Sequence, residues 1–268
     1  MKKIFILFVL LFSAILMFAG CSEDAGEKLE AIKDAGKLVV YTDPNFPPFE
    51  FHGPDGIIGA DIEIARAIAD EIGVELELVE AEFDSILMAV SGGRGDIAIT
   101  GMTITDERKE SVDFSVPYIN SVQYLILPAD SDIAIMEDLA GKRVGVAFGY
   151  TGQWLMEDEL DEEGVLYNQN TELVEYNSAM EASLDMQNGR IDAVVMDEFV
   201  ALSIAAGNAA LKSTELKYAD GNVASEEYGV VIPKNNKDLV DVINKVIQRL
   251  LDENKIEEWV VQYGTLTD

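Results

Sequence analysis

The 268-residue chain carries 19 Lys+Arg against 50 Asp+Glu, a formal net charge of −31. That surface repels a phosphate backbone and excludes nucleic acid as a partner. Cys21 is the only cysteine and His52 the only histidine, so disulfides and a Cys/His zinc centre are excluded, and neither a metal nor a cofactor is expected.

The chain opens Met1-Lys2-Lys3 and then runs apolar from Ile4 to Ala19. A charged start, an apolar stretch and a small-residue exit form a secretory signal over residues 1–20. The apolar stretch is short for a membrane span. Phe18-Ala19-Gly20-Cys21 resembles the bacterial lipobox, in which the cysteine is lipidated and becomes the first residue of the mature protein. Residues 21–35 are then expected as a lipidated tether, polar and acidic from Ser22 to Lys28. Roughly 245 mature residues remain, enough for a self-sufficient core as one large domain or two small ones.

Leu38 to Tyr41 reads as a strand, followed by the rigid loop Asp43-Pro44-Asn45-Phe46-Pro47-Pro48-Phe49. A hairpin turns at His52 to Gly56. Asp61 to Ile72 places Ile62, Ala65, Ile68, Ala69 and Ile72 on one helical stripe. A strand over Val74–Val79 and a helix over Phe83–Val90 follow. The glycines at 92, 93 and 95 follow a helix and precede a strand, the reverse order of a phosphate loop. Further strands are expected at 122–127, 143–147, 173–176, 193–196 and 228–232. Helices are expected from Gln153 onward and at 179–188, 198–206, 239–254 and 256–263. Alternating strands and helices, seen once before about residue 120 and again after it, mark parallel α/β sheets with sites at strand carboxyl ends.

The segment Ile97 to Arg108 carries the chemistry. A buried strand ends at Gly101, a polar loop follows, and Thr105 can cap a helix whose first residues are Asp106 and Glu107. Arg108 lies in the first turn, near the strand end. N–H groups, a threonine and a guanidinium fork converging there suit a small carboxylate. Asp197 ends a later strand, where it can face the same ligand or cap the helix after it.

The ordered motifs Asp43…Phe46-Pro47-Pro48-Phe49-Glu50-Phe51, Ile58-Gly59-Ala60-Asp61-Ile62, Gly101 to Arg108 and Val112-Asp113-Phe114-Ser115 resemble family 3 extracellular solute-binding proteins. These are the polar amino-acid-binding proteins of bacterial ABC importers. Leu139 to Val146, Gly189 to Asp197 and Tyr228 to Lys234 fit in the same order, so the resemblance spans about residues 36 to 264. It implies an α/β two-lobe periplasmic-binding-protein fold of the Venus-flytrap kind, type II. Lobe 1 would be 36–120 with 228–268, and lobe 2 would be 121–227. The chain would be a monomeric, lipid-anchored, extracytoplasmic protein that hands an amino acid to ABC permease transmembrane subunits.

The resemblance also implies roles. Arg108 would hold the ligand carboxylate bidentately, helped by Thr103 and by the Thr151 and Gly152 N–H groups. Asp197 and the Gly101 carbonyl would take the ammonium. Phe46 and Phe83 would sandwich the ligand side chain, with Asp43 at its far end and Asn120 and Met196 as pocket neighbours. Some glutamine binders carry a lysine where this chain has Ala147, so a longer or cationic side chain fits, with arginine or lysine ahead of glutamine. Two rival readings stand beside this one. The first is a cyclohexadienyl or arogenate dehydratase-like enzyme, for which Asp43, Glu82 and Asp197 are the local acids and bases. The second is a sensor partner presenting the ligand to a membrane receptor.

Overall fold

The computed structural model describes residues 27–266. The signal, Cys21 and the start of the tether lie outside the described residues. The first half of the chain runs through α1 (Glu27–Ala35), β1 (Lys37–Thr42), β2 (Asn45–Phe46), β3 (Glu50–Gly53), β4 (Gly56–Ile58), α2 (Ala60–Ile72), β5 (Glu75–Glu80), α3 (Phe83–Ser91), β6 (Ile97–Ala98), α4 (Asp106–Ser111) and β7 (Val112–Phe114). Then come β8 (Ile119–Pro128), a 3-10 turn (Met136–Leu139), β9 (Arg143–Ala147), α5 (Thr151–Leu160), β10 (Glu172–Tyr176), α6 (Ala179–Gln187), β11 (Ala193–Asp197), α7 (Glu198–Ala206), β12 (Leu211–Glu215) and β13 (Ser225–Tyr228). The chain returns through β14 (Val231–Pro233), α8 (Lys237–Asp252) and α9 (Lys255–Gly264).

Two large sheets result, one per lobe, beside a small antiparallel sheet of order β2-β3-β4. The first has the order β5-β1-β6-β14-β7 and the second β10-β9-β11-β8-β12. Both are mixed rather than purely parallel. β1 runs parallel to β5 and β6, but β14 enters antiparallel, because it returns from the second lobe. In the second sheet β9, β10 and β11 are parallel, while β8 is antiparallel to β11 and β12. β8 and β13 carry the chain out of and back to the first lobe. They pair antiparallel from Ser225↔Val122 to Tyr228↔Ile119.

Residues 27–35, expected as tether, form a helix. Leu29 and Ile32 lie three apart on its one apolar face and are buried against the first lobe. Full burial of such side chains contributes roughly 1.5–3 kcal/mol each. Residues 27–35 are therefore part of the folded first lobe rather than tether. The expected strand over 228–232 is broken in two, with Tyr228 in β13 and Val231 in β14. The long C-terminal helix α8 is amphipathic as expected. Leu239, Ile243, Val246, Ile247 and Leu250 recur at three- and four-residue spacing and are buried, and α8 packs on α2.

Candidate functional site

The first lobe builds its side of the site from strand ends. Asp43 follows β1, and its N–H donates to Thr100 Oγ1 (3.0 Å); the Thr100 hydroxyl donates to Glu50 Oε1 (2.8 Å). Gly101, beyond β6, has φ +51°, and a Cβ there would lie 2.3 Å from Phe46 Cε1. Only glycine lets the loop lie against that ring. The Gly101 N–H donates to Asp61 Oδ2 (2.7 Å), which also accepts from the Tyr118 hydroxyl (2.9 Å).

Thr105 caps α4, its hydroxyl accepting from the Arg108 N–H (3.1 Å). That cap fixes Arg108 in the first turn with its guanidinium buried. Arg108 Nη1 donates to the Thr103 carbonyl (2.8 Å), and Nη2 donates across the lobes to the Gly149 carbonyl (3.0 Å). The guanidinium carbon lies 5.5 Å from the Phe83 ring centroid and 4.7 Å from that of Trp154. Burial lowers the Arg108 pKa to about 10, opposed by Glu226 and Asp197, so it stays charged at neutral pH. Two of its five N–H donors serve these carbonyls, leaving others for a carboxylate. A cleft of about 440 Å³ opens between the lobes beside it, lined among others by Phe83, Phe148 and Trp154.

The second lobe contributes the start of α5 and the end of β11. Gly152 packs where a Cβ would meet Gln123 Oε1 at 2.8 Å. Asp197 stands at the capping position of α7, but its side chain makes no capping bond. Instead it accepts from Gln123 Nε2 (2.6 Å) and from the Tyr228 hydroxyl (2.7 Å). Burial raises its pKa. Glu226, on β13, is pushed well above the usual carboxylate range by burial and then by Asp197, and its Oε2 is buried without a hydrogen-bond partner. Asp43 is raised to about 6 by burial, with Asn45 pulling the other way through a 2.7 Å bond. Among the described buried residues, Arg108 is the one cation against five carboxyl groups: Asp43, Glu50, Asp61, Asp197 and Glu226.

The contacts link Asp43, Phe46, Phe83, Gly101, Thr103, Arg108, Gly152 and Asp197 in one lobe-to-lobe cluster. Thr151 joins it through Glu226. Phe46 and Phe83 do not face an open slot. Each stacks on the Tyr150 ring, at centroid distances of 5.9 and 3.9 Å and interplanar angles of 28° and 21°.

Asn120 is not part of the cluster. It is exposed on β8 and lines a cleft on another face with Phe199 and Leu251. Ser121 and Gln123 point inward, so the amide that reaches the site is Gln123. Met196 is buried beside Asp197.

Sequence reasoning missed Tyr150, Gln123, Glu226, Tyr228 and Trp154 as site residues. Two of them left a signal. Gln123 is a polar residue inside the apolar run Val122 to Leu127, and Tyr150 occupies a helix-capping position that ordinarily takes Ser, Thr, Asp or Asn.

Residues 38–265 match the model of the bacterial extracellular solute-binding proteins, family 3. The L-cystine-binding protein TcyJ of Escherichia coli K12 is 31% identical over 253 residues, covering 91% of this chain and 90% of that protein. The L-arginine-binding protein of Pseudomonas aeruginosa PAO1 is 33% identical over 223 residues, covering 80% and 82%. A crystal structure of an amino acid ABC transporter substrate-binding protein from Streptococcus pneumoniae, bound to L-arginine, superposes with a TM-score of 0.80 at 36% identity. It covers 89% of this chain and 98% of that one.

Proposed function

The chain belongs to the bacterial extracellular solute-binding proteins of family 3, and we propose that it captures a cationic polar amino acid for an ABC importer, arginine or lysine first and glutamine second. As in its relatives, the role is solute binding, not catalysis. The excess of buried acid over buried base at the lobe interface carries the ligand reading. Buried charges must be paired, or they neutralise. A ligand carboxylate would meet Arg108, its ammonium would meet Asp197, and a cationic side chain would meet Asp43, with Glu226 holding its proton. Aspartate and glutamate would bring a second carboxylate to a site already rich in them.

A thermal-shift screen of the twenty amino acids tests this reading. A ligand at a hundred times its Kd stabilises by about 2.7 kcal/mol. Arginine and lysine are expected to give the largest shifts. Larger shifts from acidic or branched aliphatic amino acids would overturn the ligand while leaving the family intact.

The protein would work as a monomer, held to the membrane by a lipid on Cys21 and delivering its ligand to the permease subunits. Among the described residues no helix is long and apolar enough to cross a membrane. Cys21→Ser is expected to abolish labelling by a fatty acid and to release the protein from the membrane fraction or leave it held by an uncleaved signal. A wild-type protein that takes up no label would rule out the anchor.

A further inference from the structure

Tyr150 stands at the capping position of α5, yet its side chain makes no capping hydrogen bond. Serine, threonine, aspartate or asparagine there would favour the helix over a residue that cannot cap, so the local fold gives no reason for a tyrosine. The side chain points across the cleft. It is 4% exposed, stacks on both Phe46 and Phe83, and its hydroxyl lies 3.4 Å from Asp43 Oδ2. An aromatic plane on two phenylalanine rings, with a donor at its far end on Asp43, reproduces what a planar, hydrogen-bonding ligand side chain would do there.

We infer that Tyr150 is a specificity-determining residue, an internal occupant of the ligand side-chain subsite. It holds the lobes together without ligand and must be displaced by one. This inference rests on the amino-acid reading above. It adds a threshold to that reading. A side chain gains the subsite only if it stacks on Phe46 and Phe83 and bonds Asp43 better than the phenol does. A guanidinium does both, since it carries charge to a carboxylate and stacks as a plane. A glutamine amide does so less well, and a short side chain does neither. With the phenol in place, the binding-competent fraction falls below one, and the apparent affinity falls with it.

Tyr150→Ser supplies a capping hydroxyl and removes the ring; Tyr150→Phe keeps the ring and removes the bond to Asp43. Calorimetry with arginine, glutamine and alanine, together with scattering of the ligand-free proteins, tests the inference. Tyr150→Ser is expected to bind arginine about fivefold or more tightly than wild type, because the competent fraction rises. Its preference for arginine over glutamine should narrow, and its ligand-free radius of gyration should increase. Tyr150→Phe should fall between the two. A loss of about tenfold or more in arginine affinity for Tyr150→Ser would make the ring a wall of the pocket and overturn the inference. So would an unchanged ligand-free radius of gyration with an unchanged arginine-to-glutamine ratio. If no amino acid binds wild type, the ligand reading falls, and the ligand-free scattering of Tyr150→Ser alone decides whether the ring holds the lobes.

Discussion

Arg108→Ala is expected to remove measurable binding of any α-amino acid while the protein stays folded. The guanidinium is buried, is held by the Thr103 and Gly149 carbonyls, and lies over the Trp154 ring. Among the described residues it is the one buried cation, set in a cluster of acids. A ligand carboxylate entering the variant would be desolvated without a partner, beside Asp197 and Glu226. Breaking a buried pair in this way costs roughly 3–5 kcal/mol, about two to three and a half orders of magnitude in Kd. Arg108→Lys should lose less, since it keeps the charge but not the fork. The fold is secured elsewhere, by the α2–α8 packing and the two sheets, so a circular-dichroism melt should stay cooperative. Calorimetry placing the alanine variant within a few-fold of wild type would remove Arg108 from the carboxylate site.

Much of the site was legible because its signals are local. Thr105, Asp106 and Arg108 sit at fixed offsets around one helix start, and the cap bond from the Arg108 N–H to Thr105 is the structural form of that spacing. Asp197 at the end of β11 was visible for the same reason.

What escaped depends on facts no short window holds. Asn120, expected as a pocket neighbour, lies on the outward parity of β8 and Gln123 on the inward one, and one residue of register moves a side chain to the other face. Tyr150 matters only because α5 of one lobe starts against Phe46 and Phe83 of the other. Glu226 is buried only because β13 pairs with β8, a long-range pairing that its sequence neighbours do not encode. In α1 the two apolar contacts, Leu29 and Ile32, are interleaved with lysines and acids, so composition read as tether. β12 is an edge strand, Leu-Lys-Ser-Thr-Glu, without the alternation that marks a half-buried strand.

Thermal stability should rise as pH falls from 8 toward 5, and Glu50→Gln should flatten that rise. Behind the Gly101 loop, Glu50 and Asp61 are both fully buried. Asp61 Oδ1 and Glu50 Oε2 are both buried without a hydrogen-bond partner, and the two carboxyl groups lie close enough to perturb each other's ionisation. A bond between the two would need a shared proton. Burial and then the Asp61 charge hold Glu50 well above its usual range, which favours its protonated form. Asp61 is raised to about 6 by burial, tempered by the Gly101 N–H and the Tyr118 hydroxyl. Both groups bind protons more tightly folded than unfolded. Their stabilisation is therefore fully present below the unfolded carboxylate pKa of about 4 and is lost as pH climbs through the folded values. A two-unit difference in one such group corresponds to roughly 3 kcal/mol. The net charge of −31 adds repulsion in the same direction, so wild type alone does not isolate the pair. Glutamine at position 50 does. Its amide can donate permanently to Asp61, while its carbonyl still accepts from Thr100. Glu50→Gln should match wild type near pH 5 and exceed it at pH 8. If both proteins lose stability in parallel as pH rises, the pair shares no proton, and the dependence belongs to the surface charge.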